Sequence, residues 1–178
     1  MNIFYLSHKT SRCARWHCDK HVVKMILETT QLLYTAHWVL SVIPDFGGAP
    51  KRNGTEERGY KSIRNAKHPC AIWTRESLDH YVWLCELGLA LCEEYRHRYG
   101  AHKRHSCEDH LQWLFEFPPM ELEALGWKEP PKAMPEEYKI SKSSIVAYRQ
   151  YYRVGKKDLL TYTGRATPHW LSSSAGGR

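Results

Sequence analysis

The 178-residue chain is 42% hydrophobic with 7 Trp, enough apolar material for a real core, which excludes general disorder. Its net charge of +7 points to a polyanionic partner, most simply nucleic acid. An anionic membrane would attract the same charge, but there is no apolar run of 18 residues and no signal peptide. No membrane partner is therefore expected, and the expected compartment is the cytoplasm.

In chain order, Met1 to Leu6 (MNIFYL) is apolar enough to pack as a strand or an extended arm on the core, holding a terminus that would otherwise fray. Ser11 is the expected N-cap of a short helix ending at Trp16, and Asp19 that of the next helix. Asp19 to Leu40 runs 22 residues without Pro or Gly and predicts one long helix. Most of its surface is apolar, which predicts burial on several sides. Yet His21, Lys24, Glu28, Gln31 and Thr35 form one narrow polar stripe, flanked by Met25 and Leu32 on one side and Leu27 and Trp38 on the other. A titratable stripe between apolar shoulders has the character of a pocket wall; the plainer alternative is a solvated face with a weak Lys24–Glu28 pair.

Pro44 to Lys67 reads as a long loop, rich in Gly and basic residues, either a phosphate-contacting segment or a solvated insertion. His68-Pro69 opens a second long helix predicted to reach Gly100, with Leu78, Val82, Cys85, Leu89 and Cys92 on its apolar face. Ser106 and Asp109 fit a capping box for a third helix ending at Glu116. Phe117 to Pro135 is a Pro-rich loop expected to hold the core through Met120, Leu122, Leu125 and Trp127. Ser143 or Ser144 caps a fourth helix ending at Gly155. There Tyr148, Tyr151 and Tyr152 alternate with Arg149 and Arg153, a pattern suited either to stacking on bases or to closing the core. Trp170 is expected to dock the chain end, with 172–178 a flexible tail and 1–171 one helical domain.

Six cysteines without a C-x-x-C pair read as reduced thiols. The 11 histidines include His17 and His21 at i, i+4 and a cluster from His102 to His110, but neither completes a zinc pattern. No metal and no other cofactor is expected.

Three blocks resemble the phage pyrimidine-dimer DNA glycosylases, also called endonuclease V. His21 precedes Glu28 by seven residues, the separation of a His and the catalytic Glu in that family. The stretch His68 to Gly100 is similar to its second long helix, and AYRQYY at Ala147 to Tyr152 to its C-terminal aromatic segment. The resemblance implies an all-α, endonuclease V-like helical bundle, here carrying long basic and Pro-rich loops. It implies a glycosylase whose N-terminal amine attacks C1′ of the damaged nucleotide with help from the Glu, followed by strand cleavage through an imine. Asn2 follows Met1 where the family has Thr, and Leu27 and Gln31 stand where it has arginines.

The expected function is thus a DNA glycosylase, with or without lyase activity, for a damaged or modified pyrimidine, its partner DNA. The alternatives are an enzyme acting on a modified base or free nucleotide, and a non-enzymatic nucleic-acid-binding or host-blocking protein. Glu28 is the expected stabiliser of the sugar cation. The amine at Met1 or Asn2, or Lys24 if burial depresses its pKa, is the expected nucleophile. His21 and Gln31 are expected to orient Glu28 or the substrate. Substrate contacts are expected from Gln31, His17, His68, Trp73, Arg75, Tyr148, Arg149 and Tyr152.

Overall fold

The stretch free of Pro and Gly forms one helix, α2 (Asp19–Leu40), around which the remaining helices gather. The computed structural model describes residues 2–41, 46–60 and 65–172. The other helices are α1 (Thr10–Trp16), α3 (Pro69–Thr74), α4 (Leu78–Tyr99), α5 (Glu108–Glu116), α6 (Ser144–Gly155) and α7 (His169–Ser172). Among the described residues the only β pairing is an isolated antiparallel bridge between Lys51 and Arg58. The fold is therefore all-α. No helix among the described residues is long and apolar enough to cross a membrane.

α2 packs chiefly on α4, with α1 and α5 on the flanks of α4. The approach is close because Gly88 lies mid-helix in α4: a Cβ there would sit 2.7 Å from Leu111 Cδ2 of α5 and 3.0 Å from Thr29 Cγ2 of α2. Gly costs about 1 kcal/mol in a helix interior, a cost offset here by the packing of three helices. Around this contact Val22, Ile26, Leu33, Leu84 and Leu91 are fully buried. Cys85 and Cys92 are buried among them, and all six cysteines are free thiols. Burial of α2 is one-sided, however: Val23, Leu27 and Val39 are exposed together with Lys20 and Lys24.

The second long helix is broken where one run was expected. Ser77 lies between α3 and α4, and its Oγ accepts from the Asp79 N–H at 3.2 Å, making it the N-cap of α4. The Ser106 capping box does not form either: α5 starts after Cys107, whose N–H donates to His105 Nδ1 at 3.1 Å. The caps expected at Ser11 and Asp19 belong to Lys9 and Cys18. Asp19 sits inside α2, where its carboxylate accepts from the Thr163 N–H and hydroxyl and from Arg98.

Of the basic loop, 42–45 and 61–64, including the basic residues Lys61 and Arg64, lie outside the described residues. Gly59 has φ +65° and lays its backbone against the Tyr34 ring, leaving no room for a side chain. Phe46 and Tyr60 pack on the same ring. Lys51 pairs with Glu56, Arg52 with Glu57, and Arg58 donates to the Ala49 carbonyl. These cations serve the loop itself. In the Pro-rich segment, Leu122 and Trp127 pack on the core as expected, but Met120 and Leu125 are exposed. The segment is held instead by backbone: Leu78 N–H to Glu123 O, Trp73 Nε1–H to Lys128 O, and Lys128 N–H to His80 Nε2.

Candidate active site at Glu28 and the N-terminal arm

Residues 3–6 form the buried extended arm that their apolar character predicts. Phe4 stacks on His21 of α2 with ring centroids 4.2 Å apart and meets Tyr148 and Tyr152 of α6 edge-on. The Phe4 carbonyl accepts from Cys13 Sγ, and the Leu6 carbonyl from Arg149 Nε at 3.1 Å. Arg149 is itself held over the rings of Trp16 and Trp170. The arm delivers the Asn2 nitrogen to α2, where it donates to Glu28 Oε2 at 2.9 Å. Met1 lies outside the described residues.

Glu28 is set in a half-polar environment, its side chain 13% exposed. Lys24, one turn earlier, approaches Glu28 Oε1 at 3.3 Å, but its own side chain is 67% exposed. The burial on which a nucleophilic Lys24 depends is absent. Gln31 is half-buried one turn beyond Glu28. His68 is the N-cap of α3, its Nδ1 accepting from the Cys70 N–H at 3.2 Å, which leaves the proton on Nε2. Burial lowers the His68 pKa, while Glu28 raises it. Cys70 Sγ lies 4.0 Å from Asn2 Oδ1, and burial pushes this thiol up to about 12. A carboxylate, an imidazole and the nitrogen of residue 2 are thus neighbours on one surface.

The other expected site residues are elsewhere. His21 makes its hydrogen bond to Tyr152 Oη, at 2.5 Å, rather than to Glu28, and is stacked under Phe4. Its role is to seat the arm. His17 is fully buried with Nδ1 2.8 Å from the Cys13 carbonyl. Trp73 is buried and stacked on His80, and Tyr148 and Tyr152 are buried in the core. Burial removes these four from contact with a base at the surface, so the core-closing alternative for the tyrosines is the one realised. Arg149 is occupied by Leu6 and two Trp rings. Arg75 ends α3 with its Nη1 buried and without a hydrogen-bond partner among the described residues. In the His102–His110 cluster, His105 accepts from Cys107 and His110 Nδ1 lies 2.8 Å from Tyr34 Oη. Among the described residues no three His, Cys, Asp or Glu side chains converge as metal ligands. Cys70 and the Pro-rich loop were not expected near this site; no local pattern in the sequence marks them.

Neither of two surface depressions, about 490 Å³ beside Trp83 and Trp127 and about 940 Å³ beside Trp113 and Phe117, is lined by Glu28.

Three buried imidazoles give the fold a pH signature. Burial is the main cause that lowers His17 to about 4, His21 to about 3 and His37 to about 4. Each stays neutral in the fold but takes up a proton on unfolding once the pH is below the ordinary histidine value of about 6.5. Their contribution to stability is complete above that value and is lost as the pH falls toward 4. Melting scans should show a falling Tm across this window, and His21→Phe should flatten the slope. An unchanged slope in that variant would assign the effect to other groups.

Residues 1–109, more than half of the chain, match the model of a protein family described as pyrimidine dimer DNA glycosylase. No curated protein and no solved structure matches the chain.

Proposed function

The chain belongs to the pyrimidine dimer DNA glycosylase family and is a DNA N-glycosylase for damaged pyrimidines; we propose that its nucleophile is the nitrogen of Asn2, freed as an α-amine by removal of Met1, with Glu28 as the assisting carboxylate. The observation that carries this reading is the 2.9 Å hydrogen bond from the Asn2 nitrogen to Glu28 Oε2.

The chemistry follows from that pair. The neutral amine attacks C1′ of the damaged nucleotide. The glycosidic C–N bond breaks, its electron pair leaves with the base, and the base takes up a proton. Positive charge develops on the sugar as the bond breaks, and a fixed carboxylate stabilises it more than it stabilises the ground state. Glu28 accepts the proton that the attacking nitrogen releases. Opening of the sugar ring, with a proton delivered to O4′, leaves an imine between the nitrogen and C1′. The imine acidifies C2′; loss of a C2′ proton then expels the 3′ phosphate by β-elimination, which is the lyase step. His68, whose pKa is lowered by burial and raised by Glu28, is suited to move one of these protons.

Duplex DNA is the proposed substrate form. Lys20, one turn before Lys24 on α2, and Lys67, next to His68 in the chain, are exposed and make no ion pair among the described residues; with the exposed Lys24 they are the cations proposed to meet the phosphates. They replace the arginines absent at Leu27 and Gln31. Affinity for damaged duplex should fall at least about tenfold between roughly 50 and 200 mM salt, as counterions released by phosphate contacts are recaptured. A salt-independent Kd would sink this placement of the DNA. Six free, buried cysteines fit a reducing cytoplasm.

The nucleophile is tested by comparing protein that starts at Asn2 with protein that retains a residue before it. The extended form should lose base release by about 10²-fold or more, whereas Lys24→Met should stay within about threefold of wild type. Equal activity of the two N-terminal forms would contradict the reading.

A further inference from the structure

We propose that Tyr148 and the side chain of Asn2 are positioning residues that hold the Asn2 nitrogen against Glu28; this rests on the reading of that nitrogen as the nucleophile. A terminal residue ordinarily frays, and an amine free to rotate loses most of the benefit of being near C1′. Asn2 is held at its nitrogen and at both polar atoms of its side chain. Its Oδ1 accepts from the Ile3 N–H at 2.8 Å and its Nδ2 donates to the Ala133 carbonyl at 2.9 Å. One partner is an obligate donor and the other an obligate acceptor, so the orientation of the amide is determined. Tyr148 Oη lies 2.8 Å from the same Oδ1 and 2.7 Å from the Pro131 carbonyl, its one proton shared between them, and accepts from the Ala133 N–H at 3.2 Å.

The anchor is itself braced. Ser144 Oγ donates to the Pro130 carbonyl at 2.7 Å, tying the Pro-rich segment to the first turn of α6, which also carries Tyr148. Tyr148 is fully buried, and burial raises its phenol well above the ordinary value, so it remains a donor at any working pH. With its side chain and the following peptide both held, Asn2 has little freedom left to swing its nitrogen away from Glu28. Pro131, Ala133 and Tyr148 all lie beyond residue 109, where the family match ends. The C-terminal part of the chain thus supplies the clamp for a nucleophile and a carboxylate that belong to the matched part.

The experiment uses Asn2→Ala, Tyr148→Phe and the double variant, each released from a cleavable leader so that residue 2 is the first residue, as verified by intact mass. Each is mixed at saturating concentration with duplex carrying one abasic site. The amine condenses with the C1′ aldehyde, water leaves, and borohydride reduces the imine to a stable amine linkage. Each single substitution should slow adduct formation about 10–100-fold with Kd within about threefold of wild type. The double variant should be no slower than the slower single, because both remove one clamp. Wild-type rates in the singles would overturn the clamp, and so would losses that multiply in the double, which indicate two independent injuries. If Tyr148→Phe fails to fold, Asn2→Ala decides: a wild-type rate overturns the proposal. A wild-type adduct that maps away from residue 2 would sink the nucleophile reading, and the clamp with it; an adduct on residue 2 with unaffected variants would sink the clamp alone.

Discussion

Glu28→Gln should lower base release about 10²–10³-fold, equivalent to ~3–4 kcal/mol in the barrier. The substitution keeps the shape of the side chain and one hydrogen-bonding oxygen for the Asn2 nitrogen, which now sits 2.9 Å from Glu28 Oε2. It removes the charge that offsets the sugar cation and the group that takes the proton from the amine. DNA binding should barely change, since a carboxylate contributes nothing favourable to phosphate contact; loss of a negative charge would if anything tighten it. Imine formation with a ready-made abasic site should suffer less than base release, because no glycosidic bond has to break there. Single-turnover base release and abasic-site trapping, measured side by side, separate the two effects. Full base release by Glu28→Gln would remove Glu28 from the site.

The second large effect is on stability. Arg98→Ala should cost about 3–5 kcal/mol, because it removes the fully buried guanidinium that joins the carboxylates of Glu94 and Asp19. The Arg98 side chain is fully buried: Nε donates to Glu94 at 2.7 Å, Nη1 to Asp19 at 2.8 Å and Nη2 to the Arg15 carbonyl at 3.1 Å. Glu94 also receives Arg165 on both oxygens, at 2.9 and 2.8 Å. Burial raises the Glu94 carboxyl, but hydrogen bonds from Arg165 and Arg98 outweigh it and hold the group below the ordinary value. One guanidinium therefore joins α1, α2, α4 and, through Glu94 and Asp19, the segment before α7. For a chain of this size the loss corresponds to roughly 6–20 °C in Tm. Arg98→Lys should fall between, keeping charge but not the fork. A Tm within about 2 °C of wild type for Arg98→Ala would show that the cluster contributes little net stability.

This cluster also shows where the sequence stops being readable. Arg98 lies in the last turn of α4, beside Arg96 and His97, where a cation is expected simply to face the negative end of the helix. Its burial depends on Asp19 and on Glu94 with Arg165, partners set by the packing of distant segments. The same holds for α6. Alternating tyrosines and arginines fit either a stacking surface or a core face, and the choice is made by Phe4, His21 and Asn2, more than a hundred residues away. By contrast α2 is legible from end to end, because 22 residues without Pro or Gly leave no competing structure. The break before α4 is legible too, in hindsight of Ser77 and Asp79: a hydroxyl two residues before an acidic first turn is a start signal, here hidden by the continuous apolar spacing on either side. For the site, the stripe on α2 pointed to Glu28, while His21 shares its spacing but turns into the core. The Asn2 nitrogen was one of three candidate nucleophiles, with Met1 and Lys24; that it donates to Glu28 while the Asn2 side chain meets Ala133 and Tyr148 is a tertiary fact without a local signature.

The most direct measurement is the address of the covalent bond. The protein, processed to begin at Asn2, is allowed to react with duplex carrying a damaged pyrimidine in the presence of borohydride, and the adduct is digested and mapped by mass spectrometry. The account predicts a single sugar-derived modification on the α-nitrogen of Asn2, the atom that donates to Glu28. A modification on Lys24 Nζ, or base release without any adduct, would contradict it.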